Sequence, residues 1–125
     1  MNNLWPDFKQ VVVAIASPKS IIDQAGSGVK QKTDGLVHFY TGTLSISEGI
    51  GRLNCSLYAP RLSYHYPFMK VKFPVATFYP LELIVDKIDQ PLVAQDENHL
   101  LQLLHEAFSA PTTIATVTQL MTLSG

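Results

Sequence analysis

Four histidines and one cysteine are the side chains of this 125-residue chain best suited to chemistry, and their spacing decides which chemistry is open. A helical metal site sets its ligands at i and i+4, so that two imidazoles share a face. His99 and His105 are six residues apart and face different sides of the helix expected around them. His38 and His65 fall on different expected strands. Pairing could bring them together, but a third ligand would have to come from a carboxylate placed there by chance. The expectation is therefore no metal and no cofactor. Cys55 would be a nucleophile if a histidine stood beside it. It sits instead on the alternating apolar face Leu53, Cys55, Leu57 and Ala59, where a free thiol acts as a small hydrophobe. Serine chemistry lacks its Gly-x-Ser-x-Gly elbow. The glycines of Ala25–Gly28 and Gly49–Gly51 fit no phosphate-binding loop, because no strand-loop-helix frame and no Gly-Lys-Ser/Thr accompanies them. Glu82, Asp86 and Asp89 are strung along a strand end and the loop beyond it, which pairs no two of them for acid–base work. No catalytic residue is assigned, and the chain reads as a non-enzyme.

One strand carries a different signal. Tyr64, Tyr66, Phe68, Lys70 and Lys72 share one parity, and hence one face of a regular strand. The other parity holds His65, Pro67, Met69, Val71 and Phe73. Met69, Val71 and Phe73 suit a core under helices, which would turn the three aromatics and two lysines outward. Tyrosine offers contact area with a polar tip, as protein interfaces use it. Aromatics beside cations also stack the bases of single-stranded nucleic acid. These five residues are the expected binding surface, with the chain's own helices or loops as the alternative cover.

The elements that would position this strand follow from periodicity. Leu4, Phe8, Val11, Val12 and Ile15 mark one face of a helix over 4–16. Ser17-Pro18 opens a second helix running to about Lys32, weakened by Gly26 and Gly28. From Leu36 the period becomes two, giving strands over 36–47, 52–59, 64–73 and 75–85, with a hairpin at 48–51. Pro80 should lie at an edge, a bulge or a strand end. Asp96 caps a helix with Leu100, Leu101, Leu103, Leu104, Ala107 and Phe108 on its broad apolar face. A last helix follows Pro111, although residues 112–118 are rich enough in Thr and Val to be a strand. The fold class is α+β: a four-stranded antiparallel meander with helices from both ends of the chain packed on it, in the order α-α-β-β-β-β-α-α and as a single domain over 1–125.

Composition narrows the partners. Apolar residues make up 46 % and charged residues 15 %, against about 25 % charged in an average domain. A surface poor in charge is one that another protein or a second copy can cover, and a homodimer fits. The net charge of −1 argues against a dedicated nucleic-acid binder. A lone cysteine suits a reducing compartment. The apolar run Val11–Ala16 is too short for a signal peptide, and no stretch approaches the roughly 20 apolar residues of a membrane span. A cytoplasmic location is expected.

The phrase Leu57-Tyr58-Ala59-Pro60-Arg61-Leu62-Ser63-Tyr64-His65-Tyr66, followed by Phe78-Tyr79-Pro80-Leu81-Glu82-Leu83, resembles that of small uncharacterised bacterial α+β proteins. The Ser17-Pro18 helix ending in Thr33-Asp34-Gly35-Leu36 is similar to their opening. The resemblance implies the fold and carries no chemistry, since its motifs are turn and packing residues. The reading is an interaction module, an adaptor or an immunity or antitoxin-like partner protein, docking through a sheet face. The competing reading is a small-ligand binder, or an enzyme, with an apolar pocket between sheet and helices and His38 or His65 at its mouth.

Overall fold

The computed structural model describes residues 4–9 and 16–125. Of the helix expected over 4–16, residues 10–15 lie outside them. Ser17 caps helix α1 (Pro18–Gly26), its side chain accepting from the Ser20 N–H at 3.2 Å, with Pro18 in the first turn. The expected continuation to Lys32 is broken at Ser27 and resumes as the single turn α2 (Gly28–Lys32). Gly26 is where α1 approaches the sheet: a Cβ there would stand 2.3 Å from the Phe39 ring. Thr33 ends α2 and ties it to the strand that follows. Its hydroxyl donates to the Val29 carbonyl at 2.8 Å and accepts from the Val37 N–H at 3.0 Å.

Six strands follow: β1 (His38–Thr41), β2 (Ser45–Ser47), β3 (Ile50–Ala59), β4 (Tyr64–Pro74), β5 (Leu81–Val85) and β6 (Leu92–Ala94). They form one antiparallel sheet in the order β1-β3-β4-β5-β6, with β2 beside β1 on the same flank of β3. The four expected strands are thus six. The stretch 36–47 divides because the register on β3 slips by one residue between β1 and β2. Gly42 sits at the slip and donates its N–H to the Asn54 carbonyl at 2.9 Å. Residues 75–80 are a turn and loop rather than strand, with the Phe78 N–H donating to the Pro74 carbonyl at 2.7 Å and Pro80 just ahead of β5. β6 spans three residues, too few to show a period.

After β6, Asp96 caps α3 (Glu97–Ser109) by accepting from the His99 N–H at 2.8 Å. The Thr-rich segment is helix α4 (Pro111–Ser124), not strand. Thr116, Thr118 and Thr122 each donate a hydroxyl to the carbonyl four residues back, at 2.7–2.9 Å. That bond satisfies each hydroxyl within the helix, at a small cost in helix stability.

One face of the sheet is the core. Leu53, Leu57, Met69, Val71, Phe73, Leu81, Leu83 and Val85 are buried beneath Ile21 and Ile22 of α1, Leu100, Leu103 and Leu104 of α3 and Leu120 of α4. The opposite face presents Arg52, Asn54, His65, Pro67, Lys70 and Lys72 to solvent. No helix among the described residues is long and apolar enough to cross a membrane.

Candidate functional site on the outer face of the sheet

The five-residue stripe does not lie on one face. Between Cys55↔Met69 and Ser56↔Pro67 the β3–β4 register shifts, which leaves Phe68 as the extra residue of a β-bulge. Below the bulge the strand follows the expected parity, so Met69, Val71 and Phe73 point to the core while Lys70 and Lys72 point outward. Above it the parity inverts. Tyr66 and Tyr64 pair with Leu57 and Ala59 and therefore turn to the helix side. Phe68 is 3 % exposed and lies against Phe108 of α3, with ring centroids 6.2 Å apart. Tyr66 packs against the core and donates its hydroxyl to the Asp86 carboxylate. That bond holds the phenol protonated and, with burial adding to it, raises its pKa above the usual tyrosine value. The expected cluster is corrected to two lysines outside and three aromatics within or at the rim. The signal for this was Pro67, which has no N–H for a central strand and marks a bulge.

The inversion brings other residues to the outer face. His65 now stands beside Tyr58 and Tyr40, its directly paired and neighbouring partners across β3 and β1. The Tyr58 and His65 rings stack at 4.3 Å with planes 24° apart, and Tyr40 meets His65 edge-on at 5.1 Å. His38 meets Tyr58 edge-on at 6.3 Å. His38 and His65 thus flank Tyr58 instead of converging on one ion. Among the described residues no three His, Cys, Asp or Glu side chains are grouped to hold a metal. The Ser56 hydroxyl lies 3.0 Å from His65 Nδ1 and fixes the imidazole over the tyrosine. His38 Nε2 lies 3.1 Å from the Gly35 carbonyl and is held in the same way. The result is a preset aromatic ledge on three strands, with Tyr40 52 % exposed at its rim.

Beside the ledge the bulge hollows the sheet into an open depression of about 920 Å³, where Asn54, Ser56, His65, Pro67, Lys70 and Ile84 meet. Lys70 pairs across from Asn54, and Lys72 lies between Arg52 and Glu82. Lys19 with Asp23 is the one ion pair among the described residues, so Arg52, Lys70 and Lys72 have no carboxylate within 4.0 Å. A hydroxyl beside an imidazole is half of a nucleophile pair. Here Ser56 occupies the Nδ1 nitrogen on an exposed stretch of sheet, and its evident work is to orient the ring.

Cys55 lies on the core side, and burial, with Asp23 adding, pushes its thiol up to about 12, which removes it from thiolate chemistry. His99 accepts from the Gln95 N–H at 3.1 Å and helps cap α3. An apolar cleft of about 480 Å³ does exist between sheet and helices, walled by Val29, Phe39, Phe68, Phe108, Val117 and Met121. His38 and His65 are on the other side of the sheet and take no part in it. Compared with known proteins, the chain matches no family model, no curated protein and no solved structure.

Proposed function

We propose that this chain is a single-domain, non-enzymatic interaction module that docks a partner protein on the outer face of its sheet. The observation that carries the reading is the ledge of Tyr40, Tyr58 and His65, locked by Ser56 and bordered by the unpaired cations Arg52, Lys70 and Lys72. Rings already held in one geometry lose little freedom when a partner covers them, which is how a few residues come to dominate an interface. The five residues Tyr64, Tyr66, Phe68, Lys70 and Lys72 enter this reading unequally: Lys70 and Lys72 border the surface, whereas Tyr64, Tyr66 and Phe68 turn to the helix side, with Tyr66 and Phe68 supporting it from beneath. A protein partner is favoured over single-stranded nucleic acid because the chain's net charge is −1, whereas phosphate contacts dominate nucleic-acid affinity. The test is association of the Tyr58→Ser, His65→Ala double variant with the partner that wild-type protein retains. Loss of association with an unchanged far-UV spectrum supports the reading. Full association refutes it.

The apolar cleft supports a second reading, a small-ligand binder. Its volume falls within the range of about 300–1,000 Å³ typical of ligand pockets. A thermal-shift panel of apolar metabolites tests it, since a ligand at 100 times its Kd adds about 2.7 kcal/mol.

A further inference from the structure

The two edges of the sheet are built differently. The β6 edge is three residues long, preceded by Asp89 and Pro91 and followed by Asp96. Brevity, proline and charge are what keep an edge from recruiting another strand. The opposite edge, β1 and β2, runs from His38 to Ser47 without one Lys, Arg, Asp, Glu or Pro. Its side chains are open: Leu44 is 37 % and Ile46 57 % exposed, and neither packs on the core. Among the described residues no other strand pairs with its outer side. Gly42 turns its N–H inward to Asn54, so the alternation of an antiparallel ladder turns the groups of Phe39 and Thr41 outward. In β2 the two-residue turn Glu48–Gly49, both at positive φ, closes on the pair Ser47↔Ile50. The same alternation then turns Ile46 outward.

We propose that this edge pairs antiparallel with the same edge of a second copy of the chain, about a two-fold axis near Thr43. An isologous contact sets a surface against itself, so any charge on it meets its own like across the axis. This edge carries none. Its two strands also lie on either side of residue 43, so an antiparallel copy sets β1 against the partner's β2 and β2 against the partner's β1. Tyr40 belongs both to this edge and to the aromatic ledge. Pairing therefore brings two ledges to one seam and makes a continuous outer face of both sheets. The pairing stands independently of the docking reading and fails or holds on its own measurement.

Sedimentation velocity and native mass spectrometry of the full chain, wild type beside Leu44→Lys and Leu44→Glu, provide that measurement, with Ile46→Lys as a second edge variant. The expected result is wild type at twice the 13.8 kDa chain mass and each variant at the single mass with unchanged circular dichroism. Mixing the Leu44→Lys and Leu44→Glu variants should restore the doubled mass, because opposite charges then face across the axis. Hydrogen exchange should show the Phe39, Thr41 and Ile46 amides protected in wild type and exposed in the variants. Wild type at the single mass overturns the proposal. So does a doubled mass that survives all three substitutions, or one that mixing does not restore.

Discussion

Replacing Phe68 with alanine separates a bulged β4 from a regular one. In a regular strand Phe68 would share an outward face with Lys70 and Lys72, and its loss would cost little. With the bulge it is 3 % exposed against Phe108. Truncating a buried phenylalanine removes its transfer free energy and leaves a cavity, together worth about 3–5 kcal/mol. A domain of this size is stable by about 5–15 kcal/mol, so the variant should lose roughly a fifth or more of its stability. His65, three residues earlier and on the other side of the sheet, is the control. His65→Ala forfeits an exposed stack and one hydroxyl contact, about 1 kcal/mol or less. Urea denaturation followed by far-UV circular dichroism measures both, with the slope expected to stay at the wild-type value. A Phe68→Ala cost below about 1 kcal/mol together with a larger His65→Ala cost would refute the bulge and restore the regular stripe.

Two further substitutions test the core side. The fold holds the Cys55 thiol protonated up to about 12, whereas the unfolded chain ionises near 9. A raised folded pKa contributes stability that is present below pH 9 and lost as pH rises toward 12. Stability measured from pH 8 to 11 should therefore fall more steeply in wild type than in Cys55→Ala, and a thiol reagent at pH 8 should label native protein only at the rate of opening. Immediate labelling would contradict the burial. Gly26→Ala should destabilise by about 1–3 kcal/mol, since the new methyl meets the Phe39 ring at 2.3 Å. Adding Phe39→Leu should recover part of that loss in a double-mutant cycle, and simple additivity would show that the helix and ring do not touch.

The class of fold was legible because it rests on local signals. Ser17 and Asp96 announce their helices as caps, and Leu53, Cys55, Leu57 and Ala59 announce their strand by alternation. The number of strands was less legible, because Gly42 divides one apparent run through a register slip that only the partner strand reveals. The site was legible in part. Lys70 and Lys72 face outward as their parity requires, but one inserted residue at Phe68 turns Tyr64 and Tyr66 inward and His65 outward. The rest of the ledge, Tyr40, Ser56 and Tyr58, is assembled by pairing between strands, and no spacing within one strand encodes it.

Native mass spectrometry of protein captured from its own source tests the outer face as the docking surface most directly. Wild type and the Tyr58→Ser, His65→Ala double variant would be compared at equal loading, with the Gly26→Ala variant as a control for stability alone. The expected result is a stoichiometric protein mass retained by wild type and by Gly26→Ala and lost from the double variant. Retention of the same mass by all three proteins would contradict it.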